Sequence, residues 1–237
     1  ISILKRRGLK KKRYEEILNS TRRYYDRFAE RYVNFYEDWS KGEGSFSDPK
    51  YKEGYETVAD LLGQTVKPDQ KIVDVGCGVG VWSTLMAEKG VYVFGLDNLS
   101  MMLQKSRERS ERFRVESKTS LILSDGFHLP FKDSVFDGAA LNWVLAHIPV
   151  PLNKEFMNEV GRIVKEEGWL FISDSYWRGQ EGGKEQVQTR EAENGKYEVY
   201  KYYYGIDELK MLVEKTFGRV MVLQPLYYEL ICIAQKE

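Results

Sequence analysis

The stretch from residue 71 to residue 173 alternates short β-branched runs with segments of helical periodicity, and this alternation constrains the fold more than any other feature. Strands are predicted at 71–75, 91–96, 119–123, 135–141 and 169–173, and helices at 79–89, 101–111 and 152–165. Near-continuous apolar strands are typical of a sheet that is buried on both faces. Strands joined through helices imply right-handed crossovers, so the pattern predicts an α/β fold with a doubly wound parallel sheet.

The alternation of predicted strands and helices ends after residue 175. Residues 186–204 contain Asn194-Gly195 between two alternating segments, which is the strongest short-range signal for a β-hairpin. The other elements predicted outside the central stretch are helices at 14–39, 49–62 and 206–216 and strands at 220–223 and 229–234. We expect the last two strands to pair antiparallel.

These elements predict two parts of the chain. Residues 1–66 form a basic tail and a helical segment, and residues 67–237 form the sheet domain, with the hairpin inserted as a cap at about 176–204.

The formal net charge of zero hides an uneven distribution. The chain has 36 Lys and Arg residues against 36 Asp and Glu residues, yet residues 1–13 hold seven basic groups and no acidic one. Such a run is typical of a solvated terminus, and an arm that binds nucleic acid has the same composition. Two cysteines, Cys77 and Cys232, do not make a disulfide framework, so we expect a cytoplasmic protein. No apolar run approaches the roughly 18 residues of a membrane span.

A glycine-rich turn lies at the junction of the first predicted strand and helix. Residues 73–80 read VDVGCGVG, and glycines at such a turn let the backbone approach a ligand. The third glycine, Gly80, comes one residue too early for the dinucleotide fingerprint G-x-G-x-x-G, and no Gly-Lys-Ser/Thr follows to make a P-loop.

The arrangement D-x-G-x-G-x-G resembles motif I of class I S-adenosylmethionine-dependent methyltransferases. Further landmarks follow in the order of that family: Asp97 ends the second strand, Asp125 follows the third and precedes the run Leu129-Pro130-Phe131, and residues 142–149 follow the fourth. Residues 24–32 are similar to the Y-D-x-x-A-x-x-Y segment of quinone and sterol methyltransferases, where this helix forms a lid over the cofactor. The resemblance implies a Rossmann-like sheet of seven strands with the last one antiparallel, S-adenosylmethionine as cofactor and S-adenosylhomocysteine as product.

The resemblance also implies the residues that bind the cofactor. They are Tyr25, Tyr32, Asp74, Gly76, Cys77, Gly78, Asp97, Asn98, Met102, Asp125, Gly126, Phe127 and Asn142. Asp74 is expected to brace the glycine turn or to contact the methionine amine. Asp97, at the carboxyl end of a strand, is expected to accept hydrogen bonds from the ribose hydroxyls, and Asp125 from the adenine amine.

The acceptor side is predicted from other residues. His147 follows the fourth strand, where many members of the family carry a histidine, and it is either the general base or part of the acceptor pocket. Alternation within KYEVYKYYY places Tyr200, Tyr202 and Tyr204 on one face of a strand, and with Trp143 they are the predicted acceptor pocket. A packing role for these tyrosines is equally compatible with the pattern. No metal is expected, because displacement at a sulfonium requires none.

The function predicted is methyl transfer to a small-molecule acceptor by in-line displacement. The segment N/D-P-P-Y/F, shared by enzymes that methylate nucleobase amines, is absent at 141–144, and no cysteine lies near enough to attack a pyrimidine. Two alternatives stay open: an RNA or protein methyltransferase that uses the basic arm, and an inactive cofactor-binding partner subunit. The oligomeric state is also left open.

Overall fold

The computed structural model describes residues 2–41, 48–192 and 195–237, with side chains described from residue 12 to residue 34 and throughout the last two ranges. The helices are α1 (Ser2–Lys41), α2 (Pro49–Thr65), α3 (Val81–Glu88), α4 (Ser100–Arg112), α5 (Asn153–Ile163) and α6 (Ile206–Thr216). The strands are β1 (Lys71–Val75), β2 (Tyr92–Asp97), β3 (Thr119–Leu123), β4 (Phe136–Asn142), β5 (Val164–Ser175), β6 (Glu185–Ala192), β7 (Gly195–Tyr202), β8 (Gly218–Pro225) and β9 (Glu229–Lys236). Asn194 of the predicted hairpin turn and the basic side chains up to Lys11 lie outside the described residues.

Seven of the strands form one sheet in the order β3-β2-β1-β4-β5-β9-β8. Strands β1 to β5 run parallel to one another, and β9 pairs antiparallel with both β5 and β8. The prediction of a seven-stranded, doubly wound sheet with an antiparallel last strand is therefore confirmed. The strand order reverses at β1, and ligands bind at the carboxyl edge beside such a switch point.

Apolar side chains cover both faces of the sheet. One cluster joins the strands to α5 and α6 through residues such as Phe156 and Leu209, and the other joins them to α2 and α3 through Leu62 and Met86. All four side chains have no more than 1% of their surface exposed. Burial on both faces explains why the strands read as continuous apolar runs rather than alternating ones.

The hairpin of β6 and β7 is a separate two-stranded sheet that packs on α1. The Tyr200 N–H donates to Thr21 Oγ1 at 3.2 Å, and the Glu198 N–H donates to Ser20 Oγ at 2.9 Å. These bonds satisfy backbone groups that an isolated ribbon would leave to water. The predicted cap hairpin is confirmed, and α1 and the hairpin form a common cover.

Helix α1 begins earlier than predicted. The sequence pattern predicts a helix from residue 14, whereas the helix extends back to Ser2 through the basic run. Lysine, arginine and leucine are good helix formers, and Gly8 is the one weak helix former in residues 5–13, so the segment continues the helix instead of fraying from it. The division of the chain into 1–66 and 67–237 stays a prediction. No helix in the described part of the chain has the length and apolar character needed to cross a membrane.

Candidate active site

The glycine turn between β1 and α3 lies at the carboxyl edge of the sheet. Gly76 and Gly78 have φ angles of +75° and +53°, which residues with a Cβ rarely adopt. A Cβ on Gly76 would overlap the side chain of Val144, whereas a Cβ on Gly78 would meet no atom within 4 Å. Packing against Val144 therefore requires a glycine at position 76. At position 78 there is open space beside the backbone, which a ligand could approach closely.

Asp97 ends β2 beside this turn. Its Oδ2 accepts the Gly78 N–H at 2.9 Å and its Oδ1 accepts the Leu99 N–H at 3.0 Å. Burial raises the pKa of Asp97 to about 6, although the hydrogen bonds from Gly78 and Leu99 oppose this. The carboxylate is thus held in place by backbone amides and retains lone pairs for a ligand.

Asp74 does not line the cavity described below. It is 1% exposed, and the Ser83 hydroxyl of α3 donates to its Oδ2 at 2.6 Å. Burial raises the pKa of Asp74 to about 7. Because β1 and α3 flank the glycine turn, the Asp74–Ser83 bond braces that turn from behind. Of the two roles predicted for Asp74, its placement favours bracing.

A cavity of about 1030 Å³ extends from the glycine turn to the underside of α1 and the hairpin. The residues predicted at the site that line it are Tyr25, Tyr32, Gly76, Cys77, Gly78, Asp97, Asn98, Met102, Asp125, Gly126, Phe127, Asn142, Trp143 and His147. Asn142, at the end of β4, is 8% exposed, and neither polar atom of its amide has a hydrogen-bond partner among the described residues. Buried amides are normally satisfied, so this one is suited to a ligand in the cavity.

A turn of uncommon backbone geometry follows Asn142. Trp143 has a φ of +57°, which is rare for a bulky residue and is typical of functional sites. Its N–H still donates to the Ser173 carbonyl of β5 at 2.8 Å. The turn directs Val144 over Gly76 and leads the chain to His147 beneath α1.

Asp125, after β3, lies at the edge of the cavity. Its Oδ1 accepts the Phe127 N–H at 2.9 Å, and its Oδ2 pairs with Arg22 of α1 at 3.0 Å. A second ion pair, Lys105 to Glu30 at 2.9 Å, joins α4 to α1. Solvent screens exposed pairs of this kind, so they hold α1 over the cavity weakly.

His147 is held by two hydrogen bonds that define its tautomer. Its Nδ1 lies 2.7 Å from the Tyr200 carbonyl oxygen, which only accepts, so Nδ1 carries the proton. Its Nε2 lies 2.8 Å from the Tyr25 hydroxyl, which must therefore donate. Burial, reinforced by the nearby charge of Lys201, lowers the pKa of His147 well below its usual range. The ring is a neutral base at neutral pH.

Three of the four residues predicted for the acceptor pocket do not line the cavity. The hydroxyls of Tyr200, Tyr202 and Tyr204 are hydrogen-bonded to side chains elsewhere, and Tyr200 and Tyr204 are 0% and 3% exposed. The residues between them in sequence, Lys201 and Tyr203, line the cavity instead. The alternation of the sequence separates the two faces of the strand correctly, but it does not predict which face lines the cavity.

The cavity also contains charged residues that the sequence analysis did not single out. Arg190 of β6 donates from Nη1 to the Tyr25 hydroxyl at 3.3 Å, and Glu229 of β9 accepts from the Ser173 hydroxyl at 3.1 Å. Burial raises the pKa of Glu229 to about 7. The alternation that separated the tyrosines was the available signal for Lys201, whereas Glu229 is brought in only by antiparallel pairing of β9 with β5.

Comparison with known proteins agrees with this geometry. Residues 73–172 match the family described as "Methyltransferase domain". Methyltransferase GfsG of Streptomyces halstedii is 32% identical over 135 residues, which are 56% of this chain and 48% of the relative. Demethylmenaquinone methyltransferase of Corynebacterium kroppenstedtii is 31% identical over 108 residues, which are 46% of this chain and 43% of the relative.

A solved structure shares the fold. The Burkholderia thailandensis 1,6-didemethyltoxoflavin-N1-methyltransferase, determined with 1,6-didemethyltoxoflavin and S-adenosylhomocysteine bound, superimposes with a TM-score of 0.65 at 16% identity over 91% of this chain and 90% of that one. The chain spans about half or less of the length of the curated relatives named above. Residues 73–172 are thus similar to the methyltransferase domain family, and the fold, including the strand order, is that of the solved methyltransferase structure.

Proposed function

We propose that this protein transfers the methyl group of S-adenosylmethionine to a small-molecule acceptor. The observation that carries the proposal is that one cavity is lined by Asp97, Gly78, the unsatisfied amide of Asn142 and the Tyr25–His147 pair. S-adenosylmethionine supplies an electrophilic methyl group on a sulfonium, which needs alignment and exclusion of water more than it needs covalent help.

The residues of the carboxyl edge suit this cofactor in type and placement. Asp97 would accept the ribose hydroxyls, and Asp125 or the adjacent Phe127 would contact the adenine end. The bare backbone of Gly78 permits close approach, and the Asn142 amide would bind the methionine end. Each of these residues lines the cavity.

An acceptor that attacks through a hydroxyl or an ammonium group must lose a proton, and the geometry provides a path for it. The Tyr25 hydroxyl donates to His147 Nε2, so its proton would pass to His147 as its oxygen takes a proton from the acceptor. Arg190 donates to the same oxygen at 3.3 Å and stabilises negative charge there. The Nδ1 bond to the Tyr200 carbonyl keeps the ring oriented throughout.

A small molecule is favoured as the acceptor because α1 and the hairpin cover the cavity. The curated relatives named above are methyltransferases, and one name specifies a demethylmenaquinone. The RNA or protein alternative depends on the basic arm, whose side chains up to Lys11 are outside the described residues.

Two experiments test the proposal. Labelled S-adenosylmethionine is incubated with cell extract, which is then separated into small-molecule, RNA and protein fractions; label is expected in the small-molecule fraction, and label in RNA or protein would contradict this. With the acceptor identified, His147→Asn is expected to lower kcat by about 100-fold or more, the range of general acid–base catalysis, with the Kd for S-adenosylmethionine unchanged. His128→Asn, an exposed histidine outside the cavity lining, is the matched control. Equal loss of kcat and cofactor affinity would make His147 structural.

A further inference from the structure

We propose that the methyl acceptor carries an oxyanion, a carboxylate or a phosphate, which Arg190 and Lys201 of the cap hairpin bind. This inference rests on the proposed function, since it names the class of acceptor that the same cavity takes.

The register of the hairpin places both cations on the cavity side. Gln186 pairs with Lys201 and Arg190 pairs with Tyr197 across β6 and β7, and side chains an even number of residues apart along a strand share a face. Gln186, Gln188 and Arg190 are thus on the face that carries Lys201, opposite the face of Tyr200. Both cations line the cavity, whereas Tyr200 does not.

Arg190 is oriented by neutral groups. Its Nε and Nη2 donate to Gln188 Oε1 at 3.3 and 2.8 Å, and its Nη1 donates to the Tyr25 hydroxyl at 3.3 Å. The Gln188 amide donates in turn to the Tyr203 hydroxyl at 3.2 Å. Every acceptor that Arg190 contacts here is uncharged, and a guanidinium presents five donors, so it keeps capacity for an oxyanion.

The carboxylates near the two cations do not neutralise them at contact distance. Among the residues that the structure describes, no carboxylate oxygen lies within 4.0 Å of Lys201 or Arg190. Asp174 accepts from the backbone N–H groups of Ala146 and Ser175 at 2.9 and 2.7 Å. Glu229 accepts from a serine hydroxyl, and its pKa of about 7 leaves it roughly half protonated at neutral pH.

The charges that surround the two cations favour binding of an anionic ligand. Asp174 and a half-ionised Glu229 face Lys201 and Arg190, which repel each other. Partly buried cations without a carboxylate at contact distance are costly, and a bound oxyanion with charge-assisted hydrogen bonds lowers that cost. Because Arg190 also contacts Tyr25, the oxyanion would lie beside the group that takes the acceptor's proton. The acceptor is therefore a small anion with a protic nucleophile close to its charged group.

Binding of simple probes tests the inference without knowledge of the acceptor. Benzoate, phenyl phosphate, benzylammonium and benzyl alcohol are titrated calorimetrically into the protein, with and without saturating S-adenosylhomocysteine. Benzoate or phenyl phosphate is expected to bind at least about 10-fold more tightly than the other two, since a hydrogen bond to a charged group is worth about a factor of ten or more. The tighter of the two anions identifies the oxyanion as carboxylate or phosphate.

Substitutions test whether the two cations are responsible for anion binding. Arg190→Gln and Lys201→Met are each expected to weaken anion binding about 10-fold or more, while Arg219→Gln, an exposed arginine on β8 with 60% of its side chain accessible, leaves it unchanged. Unchanged S-adenosylhomocysteine affinity in the variants shows that they are folded. Tighter binding of benzylammonium, or anion binding that neither variant weakens, would overturn the inference. Failure of the unaltered protein to bind S-adenosylhomocysteine would instead contradict the proposed function. In that case, the probe titrations made without S-adenosylhomocysteine still test whether the anion site exists.

Discussion

Substitution of Asp97 by alanine isolates the contribution of one carboxylate to cofactor binding. In the structure its two oxygens accept the Gly78 and Leu99 N–H groups at 2.9 and 3.0 Å, which leaves at least one lone pair on each oxygen for the ribose hydroxyls. Loss of a hydrogen bond to a charged acceptor costs about 1.5–3 kcal/mol. The Kd for S-adenosylmethionine is therefore expected to rise about 10- to 150-fold.

Isothermal titration calorimetry with S-adenosylmethionine and S-adenosylhomocysteine measures this effect, with Asp60→Ala on the exposed side of α2 as the control. A pH series adds a second readout. Because the pKa of Asp97 is raised to about 6, protonation removes acceptor lone pairs as the pH falls through 6, so the affinity of the unaltered protein weakens there. Asp97→Ala is expected to lack this dependence. Cofactor affinity of the alanine variant within twofold of the unaltered protein would refute the ribose assignment.

Two further substitutions test the glycine turn and its brace. Gly76→Ala forces a Cβ into Val144 at a φ of +75° and is expected to lower both the melting temperature and cofactor affinity. Gly78→Ala meets no atom but is strained at a φ of +53°, so it is expected to lower the melting temperature less than Gly76→Ala does and to weaken cofactor binding. A larger fall in melting temperature for Gly78→Ala than for Gly76→Ala would contradict the packing argument. Asp74, whose pKa is raised to about 7, contributes stability that is complete below its unfolded value of about 4 and is lost as the pH rises through 7. Asp74→Asn is thus expected to flatten the fall in melting temperature between pH 4 and 7, which Asp60→Asn leaves intact.

Much of the fold was predictable from local patterns. β1 and β3 and helix α6 have the predicted bounds, and β2, β4, β8 and β9 differ by one or two residues at their ends. Strand β5 begins five residues earlier than predicted, within the end of the helix predicted at 152–165. These elements are defined by β-branched runs, by helical spacing and by glycines, all of which act over short distances along the chain. The length of α1 was underestimated, because its basic residues favour a helix even though they offer no apolar face to predict one.

The cofactor side of the site was predictable for a related reason. In a parallel sheet the carboxyl ends of neighbouring strands meet at one edge, so residues that follow successive strands, such as Gly78, Asp97, Asp125 and Asn142, converge without any further information. Asp74 is the exception, because its side chain points to Ser83 behind the turn and not into the cavity.

The acceptor side depended on tertiary structure. Periodicity separates Tyr200 from Lys201, but only the docking of the hairpin on α1 decides which of them faces the cavity. Likewise, the sequence suggests His147 as a base, while the pairing of its Nε2 with Tyr25, which lies 122 residues away along the chain, exists only after α1 has folded over the sheet. The sequence by itself thus determined the sheet and its cofactor edge, since both follow from local periodicity. The arrangement of Tyr25, His147 and Lys201, where we propose that the acceptor binds, was decided by contacts between distant segments, which no local pattern encodes.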